Sequence, residues 1–346
     1  MSISVVGTVG VPACYGGFES LVENLIPSEK IGLIYCTRKA YKQELSEHKG
    51  CKLKYWSLDA NGMQSIPYDV LSIFHSLFFT KNDLLVLGVS GAIAIPFFKF
   101  FSKRKVVTNI DGLEWKRAKW GKAAKWFLKF SEKVAVKYSD TVIADNAAIA
   151  EHVLNTYSKK ATVIAYGGDH ALIEKSSHTK DDFSLALCRI EPENNVEMIL
   201  NTYSQLPTKN LKFIGNWNNS EFGLRLKKQY SKFANIEVID PIYDLAELFK
   251  LRSKASSYMH GHSAGGTNPS LVEMMFFNLP IYCFDCNYNR ASTENKANYF
   301  SSSEHLLKQL SADEDNEENA ANMLEIAERR YTWAIVKQQY EDLFND

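Results

Sequence analysis

Short apolar runs alternate with longer helical stretches along the 346-residue chain, and this alternation most constrains its fold. Such an order is typical of parallel sheets in α/β domains. The predicted strands are Ile3–Val6, Leu84–Leu87, Val106–Ile110, Thr141–Ala144, Thr162–Ala165, Phe183–Leu187, Leu211–Ile214, Ile236–Ile239, Ser256–Met259 and Pro280–Phe284. We therefore expect an α/β protein with two Rossmann-like domains that face each other across a ligand-binding cleft.

The predicted boundary between the domains follows the last strand of the first half, near Gly167 and Gly168. We expect an N-terminal domain of residues 1–167 and a C-terminal domain of residues 168–325. Residues 326–346 are predicted to form a closing helix that packs back on the N-terminal domain. A chain of this length is long for one core and sufficient for two.

Composition excludes several classes of protein. Apolar residues make up 45% of the chain and charged residues 23%, the balance of a soluble globular protein. No run approaches the length of a membrane span, and no signal-peptide pattern begins the chain, so we expect a cytoplasmic protein. Cys283 and Cys286 form a lone CxxC, which we interpret as a strand end; no metal is assigned.

The charge is unevenly distributed although the net charge is zero. Residues 1–165 contain 22 Lys and Arg against 14 Asp and Glu, a net charge of +8, so the remaining residues carry −8. This asymmetry predicts that the first half meets an anionic surface.

The segment HGHSAGGTNPSLVEMM, residues 260–275, is the most informative motif. A strand leads into a glycine loop, and Asn268 and Pro269 stand where a helix over Ser270–Phe277 would begin. Free N–H groups and the helix dipole at such an end attract phosphate. The alternative interpretation is an ordinary strand–loop–helix with a tight glycine turn.

Three side chains in this segment are candidates for ligand contact. Glu273 lies one turn into the helix, where its carboxylate can accept hydrogen bonds from ribose hydroxyls. His260 and His262 flank the strand end, and we expect them to point to opposite sides of the strand. At most one of the two histidines then faces a ligand, and the other is structural.

The first strand is followed by GTVGVPACYGGFESLVENL, in which Gly16 and Gly17 open a helix over Phe18–Leu25. The spacing differs from GxGxxG, and no acidic residue ends a second strand, so a dinucleotide-binding dehydrogenase is disfavoured. The glycines permit close approach to a diphosphate or an acceptor sugar. Of Glu19 and Glu23, we expect one to be solvated and the other to line the cleft.

Asp111 stands at the end of the predicted strand Val106–Ile110, within the segment NIDGLEWKRAKWGKAAKWFLKF, residues 109–130. Two roles are open at this point. A carboxylate at the cleft edge would serve as a general base for an acceptor hydroxyl. An N-cap for the next helix is the equal alternative.

A basic and aromatic segment follows Asp111. Residues 116–137 contain eight Lys and Arg side chains and one acidic residue, interleaved with tryptophan and phenylalanine. Such a helix is typical of a membrane-surface contact; the alternative is a solvated face packed by its tryptophans. No nucleic-acid-binding motif accompanies the charge. The candidate membrane and acceptor residues are Lys116, Arg117, Lys119, Trp120, Lys122, Lys125, Trp126 and Lys129.

In the second half, Arg189 follows a strand and is the natural bidentate partner of a phosphate. Asn194 and Asn195 enter the next helix. The turn Gly215–Trp217 follows the next strand and offers a glycine beside a base or ribose.

Taken in order, GTVGVPACYGGFE, DGLEWKRAKW, RIEPENN, GNW and HGHSAGGTNPSLVE resemble the bacterial retaining GT-B glycosyltransferases of family GT4. The resemblance is to the subgroup that contains capsule and O-antigen rhamnosyltransferases, and it covers nearly the whole chain. It implies a GT-B fold, a nucleotide-sugar held by the second domain, an acceptor held by the first, and no metal or other cofactor.

The resemblance also implies roles for individual residues. Glu273 matches the second Glu of the family's E-x7-E and would hold the ribose, whereas Gly265 replaces the first Glu. Arg189 matches an arginine that contacts the diphosphate, and Asp111 stands where many relatives have a histidine. The implied donor-binding residues are Gly16, Gly17, Arg189, Asn194, Gly215, Gly266, Thr267, Asn268, Ser270 and Glu273, and the catalytic candidates are Asp111, His262 and Arg189.

The function expected from this resemblance is transfer of L-rhamnose from dTDP-L-rhamnose, with retention, to a lipid-linked oligosaccharide in O-antigen, capsule or other surface polysaccharide synthesis. The enzyme would work peripherally at the cytoplasmic face of the inner membrane. Alternatives are a UDP- or GDP-linked donor, a sugar-nucleotide epimerase of the two-domain type, and a sugar-nucleotide-binding regulator without catalysis.

Overall fold

The computed structural model describes residues 2–14, 16–116, 121–174, 179–312 and 316–345. The chain divides into two compact units. Residues 1–166 and 333–346 form the N-terminal unit, and residues 167–332 form the C-terminal unit. Within the predicted closing segment 326–346, one helix ends at Arg330 and another runs over Trp333–Asp342 in the N-terminal unit.

The N-terminal unit is built on one sheet in the order β3-β4-β2-β1-β5-β6-β7-β8. Its pairings are parallel except for the antiparallel pair β3–β4. The strands are β1 Ile3–Val6, β2 Ile31–Thr37, β3 Glu47–His48, β4 Cys51–Trp56, β5 Asp83–Leu87, β6 Val106–Asn109, β7 Thr141–Ala144 and β8 Thr162–Val163. The helices are α1 Gly17–Leu25, α2 Ser65–Phe79, α3 Ile95–Phe101, α4 Lys122–Tyr138, α5 Ala147–Tyr157 and, after the C-terminal unit, α13 Trp333–Asp342.

The C-terminal unit has a parallel sheet in the order β11-β10-β9-β12-β13-β14. The strands are β9 Ser184–Leu187, β10 Leu211–Ile214, β11 Ile236–Ile239, β12 Ser257–His260, β13 Ile281–Phe284 and β14 Asn298–Phe300. The helices are α6 Val196–Ser204, α7 Glu221–Tyr230, α8 Leu245–Lys254, α9 Pro269–Met275, α10 Asn287–Ser292, α11 Ser303–Ser311 and α12 Glu317–Arg330.

The apolar runs form the buried strands of the two sheets. Strands β1 and β5 are buried along their whole length, as expected of parallel strands in α/β proteins. Helix α13 completes the first core, into which it inserts Trp333, Val336 and Tyr340. All ten predicted strands are present with ends that differ by at most two residues, and β2, β3, β4 and β14 are additions.

No helix within the described ranges has both the length and the apolar character needed to cross a membrane. The same residues contain no cluster of three or more His, Cys, Asp or Glu side chains arranged to hold a metal ion.

The N-terminal unit contains a buried carboxyl group on the inner face of α2. Asp69 is 2% exposed, and its Oδ2 accepts a hydrogen bond from the Ser90 hydroxyl. Its other oxygen, Oδ1, has no hydrogen-bond partner among the described residues. Burial raises the pKa of Asp69 to about 7, although the Ser90 hydroxyl and the Gly91 N–H act in the opposite direction.

We expect Asp69→Asn to change how stability depends on pH. An aspartate in the unfolded chain titrates near pH ~4, so the folded state binds the proton more tightly. The stability that Asp69 contributes at low pH is therefore lost as the pH rises from about 4 to about 7. The variant lacks this loss, and its free energy of unfolding relative to wild type should increase between about pH 5 and about pH 8.

Urea unfolding at the two pH values measures this difference. Asp59→Asn, whose side chain is 41% exposed, is the matched control and should show no such increase. A difference for Asp69→Asn that stays constant with pH would contradict the assignment of a buried, protonated carboxyl group.

Candidate functional site

The candidate site lies at the topological switch point of the C-terminal sheet. From β9 the chain proceeds through β10 and β11 to one edge, and then returns through β12 to β13 and β14 on the other side. Open α/β sheets bind ligands outside the carboxyl ends of their strands at the point where the strand order reverses. Here that point lies between the loop after β9, residues 188–195, and the loop after β12, residues 261–268.

Four hydrogen bonds join these two loops. His262 Nδ1 lies 2.8 Å from Asn194 Oδ1, and the Asn195 amide donates to the Gly261 carbonyl at 2.8 Å. The backbone N–H and the hydroxyl of Ser263 both donate to the Glu193 carbonyl, at 3.0 and 2.7 Å. A Cβ at Gly261 would lie 2.1 Å from the Asn194 carbonyl oxygen, so only glycine allows this approach.

Asn194 determines which nitrogen of His262 carries a proton. The Asn194 amide nitrogen donates to the Arg189 carbonyl at 2.7 Å, which turns its oxygen towards the histidine. Because an amide oxygen only accepts, His262 Nδ1 must be the donor. In the neutral ring Nε2 is then the acceptor, and it faces Gly265, where a Cβ would lie 3.1 Å away.

The prediction that His260 and His262 point to opposite sides is wrong. Their rings lie 5.9 Å apart, because residues two apart in an extended strand share one face. His260 is 2% exposed, and its Nε2 has no hydrogen-bond partner among the described residues. Burial, together with the neighbouring His262, lowers the pKa of His260 well below its usual value. His260 is therefore a neutral residue of the core.

Helix α9 begins at Pro269 with Asn268 as its N-cap, as the sequence predicts. The expected free N–H groups of its first turn are nevertheless occupied. Asn268 Oδ1 accepts from the Ser270 N–H at 3.0 Å and from the Ser270 hydroxyl at 2.7 Å, and Leu271 N–H donates to the Asn268 carbonyl. The prediction that free N–H groups at the start of this helix bind phosphate is thus wrong, because the cap already satisfies these donors.

Backbone donors are available in the loop before the helix instead. Within the described residues, the N–H groups of Gly265 and Gly266 make no hydrogen bond. Gly265 has a φ of +125°, a backbone conformation that residues with a side chain rarely adopt. The loop therefore presents two successive N–H groups near the acceptor nitrogen of His262, and neighbouring amides of this kind suit an anion.

Glu273, one turn into α9, is paired with a buried arginine. Its Oε2 accepts a hydrogen bond from Arg252 of α8, which is 5% exposed. Its Oε1 lies 3.4 Å from His170 Nε2. Burial by itself would raise the pKa of Glu273, but the Arg252 charge and the His170 hydrogen bond outweigh it and lower that pKa. Glu273 is therefore ionised, with both oxygens engaged.

Arg252 is a residue that sequence reasoning missed. It stands in the last turn of α8, where basic residues are common at helix ends. Its Nε is buried without a hydrogen-bond partner among the described residues. No local spacing in the sequence indicates that Arg252 meets Glu273.

Arg189 follows β9 and Gly215 follows β10, and the two residues have different roles. The Arg189 side chain is exposed, and its guanidinium lies 3.8 Å from Glu191, so it is available to a ligand at the rim. Gly215 serves packing, because a Cβ there would lie 2.7 Å from the Cys188 carbonyl oxygen. The neighbouring Trp217 is fully buried and donates to the Ile239 carbonyl.

Gly16 and Gly17 belong to the N-terminal unit, whereas the other predicted donor-binding residues belong to the C-terminal unit. Gly16 has a φ of +124°, and a Cβ there would lie 1.9 Å from Glu19 Oε2. Glu19 is buried and accepts from the Val9 N–H at 2.7 Å. Glu23 bonds His48 at 2.9 Å. Both glutamates thus hold the protein's own loops, and the expectation that one is merely solvated is wrong.

Asp111 has an unusual backbone conformation in the N-terminal unit. Strand β6 ends two residues earlier, at Asn109, whose side-chain oxygen accepts from the Asp111 N–H at 2.9 Å. Asp111 has a φ of +60°, which is uncommon outside glycine. The alternative role as N-cap of the next α-helix is wrong, because the N-cap of α4 is Gly121.

The basic segment is described in part. Lys122, Lys125, Trp126 and Lys129 lie on α4, and Lys116 ends a short 3₁₀ turn. Lys116 and Lys129 place their ammonium groups 5.6 and 5.1 Å from the centre of the Trp115 ring. The predicted contacts Arg117, Lys119 and Trp120 lie outside the described residues.

Comparison with known proteins shows which family and which solved structures this chain is similar to. The family described as "Domain of unknown function (DUF1972)" matches residues 1–169. Sucrose-phosphate synthase from Thermosynechococcus elongatus superposes with a TM-score of 0.79 at 12% identity, over 99% of this chain and 98% of that one. Anabaena HepE in complex with UDP gives 0.75 at 14% identity, over 99% of both chains.

A glycosyltransferase from Rickettsia africae gives a TM-score of 0.72 at 12% identity, over 99% of this chain and 97% of that one. The chain has the GT-B fold. A search of curated proteins found no sequence match. The GT-B assignment confirms the fold class that the five ordered motifs predict, and at this level of identity it establishes the fold alone.

We expect Arg252→Met to destabilise the C-terminal unit by about 3 kcal/mol, because it leaves the Glu273 carboxylate buried without its cation. Urea unfolding measures the loss. Replacing both residues, in Arg252→Met/Glu273→Met, should recover much of it, since no uncompensated charge remains.

The matched control is Arg225→Met, which breaks an exposed pair with Glu197 and should have a much smaller effect. If Arg252→Met is no more destabilising than the control, the buried pair is not a structural element of this unit.

Proposed function

We propose that the protein is a glycosyltransferase that binds a nucleotide-sugar at the switch point of its C-terminal unit. One observation carries this proposal: four hydrogen bonds join the loops after β9 and β12. These loops carry Arg189, His262 and the N–H groups of Gly265 and Gly266. A cation and two amide donors suit a diphosphate. The acceptor nitrogen of neutral His262 suits a sugar hydroxyl, which donates to it. The HepE structures, of the same fold, are described as complexes with UDP and with UDP-glucose.

The donor of this proposal is dTDP-L-rhamnose, with UDP- and GDP-linked sugars as the close variants. Arg189 and the N–H groups of Gly265 and Gly266 contact the diphosphate, and Glu273 accepts hydrogen bonds from the ribose. Because Glu273 already bonds Arg252 and His170, ribose binding would make use of its remaining lone pairs. We expect no metal or other cofactor to be required.

The proposed reaction is glycosyl transfer with retention. The bond between the anomeric carbon and the donor phosphate oxygen breaks, and the nucleoside diphosphate leaves with the electron pair. A bond forms between the anomeric carbon and the acceptor oxygen, whose proton passes to the leaving phosphate or to Asp111. The positive groups of the diphosphate site stabilise the charge that develops on the leaving group.

The acceptor of this proposal is a lipid-linked oligosaccharide in O-antigen, capsule or other surface polysaccharide synthesis, bound by the N-terminal unit. The protein would meet it at the cytoplasmic face of the membrane. The excess of basic residues in the first half of the chain supports this location.

We expect one nucleotide-sugar among dTDP-, UDP-, GDP- and CMP-linked donors to raise the melting temperature, because a ligand that binds only the folded state stabilises it by about 2.7 kcal/mol at a hundredfold excess over Kd. His262→Ala should weaken that binding by about tenfold, the effect of one lost hydrogen bond. Thermal-shift titration measures both.

His305→Ala, at an exposed position on α11, is the matched control and should bind the donor as wild type does. The donor assignment fails if no nucleotide-sugar shifts the melting temperature, or if His262→Ala binds as tightly as His305→Ala.

Asp111→Asn tests the acceptor side separately. Asparagine tolerates a positive φ and keeps the shape of the side chain, so the fold and donor binding should be retained. If Asp111 accepts the acceptor proton, turnover should fall by about a hundredfold or more. Transfer from radiolabelled donor to a membrane extract measures the rate, and an unchanged rate would remove Asp111 from the chemistry.

A further inference from the structure

Helix α2 in the N-terminal unit exposes large apolar side chains although its buried face is partly polar. The buried face carries Tyr68, Asp69, Ser72, Ile73 and Ser76. In contrast, Leu71, Phe78 and Phe79 are 46%, 66% and 76% exposed. A helix of a soluble domain normally directs its large apolar side chains to the core. The exposed phenylalanines of α2 therefore require a different explanation from core packing.

Helix α3 continues this apolar surface. Phe97, Phe100 and Phe101 follow the spacing i, i+3 and i+4, which puts them on one side of the helix. They are 56%, 82% and 65% exposed, while Ile95 and Phe98 on the other side are buried. The rings of Phe74 and Phe97, 6.0 Å apart, connect the two helices. We call this surface the aromatic face; it consists of Leu71, Phe74, Phe78, Phe79, Phe97, Phe100 and Phe101.

The backbone beneath the aromatic face is held in place by Arg104. Its guanidinium donates to the carbonyls of Ser76, Leu77 and Thr80 at the end of α2, at 3.1, 2.9 and 3.0 Å. It also lies 4.6 Å from the centre of the buried Phe98 ring on α3. One cation thus satisfies the carbonyl end of α2 and fastens it to α3. The two helices that carry the exposed phenylalanines are therefore fixed to each other.

Basic residues are abundant in α3 and in the chain that follows it. Residues 95–138 contain twelve Lys and Arg against three Asp and Glu. Helix α4 packs against α3 and exposes Lys122, Lys129 and Lys133 beside the stacked pair of Trp126 and Phe130. Phenylalanine and tryptophan rimmed by lysine are typical of surfaces that enter the lipid headgroup region, whereas lysine is depleted at protein–protein interfaces.

We propose that the aromatic face inserts into the surface of an anionic phospholipid bilayer, with the lysines of α4 and the segment after α3 contacting the headgroups. The inference deepens the proposed function, on which it rests, because it names the surface that would bring the N-terminal unit to a lipid-linked acceptor. It differs from the basic segment predicted from the sequence, since the inserting residues lie on α2 and α3.

Sedimentation with vesicles tests the proposal. Wild-type protein should bind vesicles of phosphatidylcholine with phosphatidylglycerol and bind poorly to phosphatidylcholine alone. Phe97→Ser/Phe100→Ser/Phe101→Ser should reduce binding at least tenfold while all lysines remain. The matched control, Leu224→Ser/Tyr243→Ser/Leu245→Ser, removes three exposed apolar side chains from the C-terminal unit and should bind vesicles as wild type does.

Failure of wild type to bind the anionic vesicles would overturn the proposal, as would equal binding by the phenylalanine variant. The thermal shift with a nucleotide-sugar is measured on the same variants. A retained donor shift with lost vesicle binding shows that the variant is folded. Vesicle binding without any donor shift in wild type would contradict the proposed function while supporting the aromatic face.

Discussion

The hydrogen bonds between the loops after β9 and β12 determine what the candidate site can do. These two strands are neighbours, but the helices that follow them lead to opposite edges of the sheet. Strand pairing therefore ends just where a ligand would bind. The contacts from His262 to Asn194 and from Ser263 to Glu193 continue the connection beyond the strands. They fix the imidazole, its proton and the course of the glycine loop together.

Around this junction, one pair of charged residues is part of the structure, and other polar groups remain available to a ligand. Glu273 and Arg252 neutralise each other in a buried pair, so neither is left uncompensated. Arg189 is exposed at the rim, and the Gly265 and Gly266 amides have no partner among the described residues. Arg189 and these amides are a cation and two donors, and they are the basis for proposing that a diphosphate binds there. The Nε2 of neutral His262 is an acceptor and suits a hydroxyl group.

Strand positions could be predicted because parallel strands are continuous apolar runs, as in β1 and β5. The alternation in CKLKYW was a usable signal for β4, whereas the two and three residues of β3 and β14 are too few for any pattern. Asn268 and Pro269 predicted the start of α9 through their local chemistry. The same N-cap chemistry means that the Asn268 side chain occupies the Ser270 N–H. The pairing of Arg252 with Glu273 joins distant segments, so no local spacing indicates it and sequence reasoning missed it.

The central claim, that the switch point of the C-terminal unit is the nucleotide-sugar site, is tested most directly by amide hydrogen exchange with and without the donor. Exchange reports local opening of the backbone, and bound donor should occupy the amides that lack partners. We predict slower exchange in residues 261–268 and 188–195, greatest at Gly265 and Gly266. Donor-dependent protection confined to other segments, with these two loops unchanged, would contradict the account.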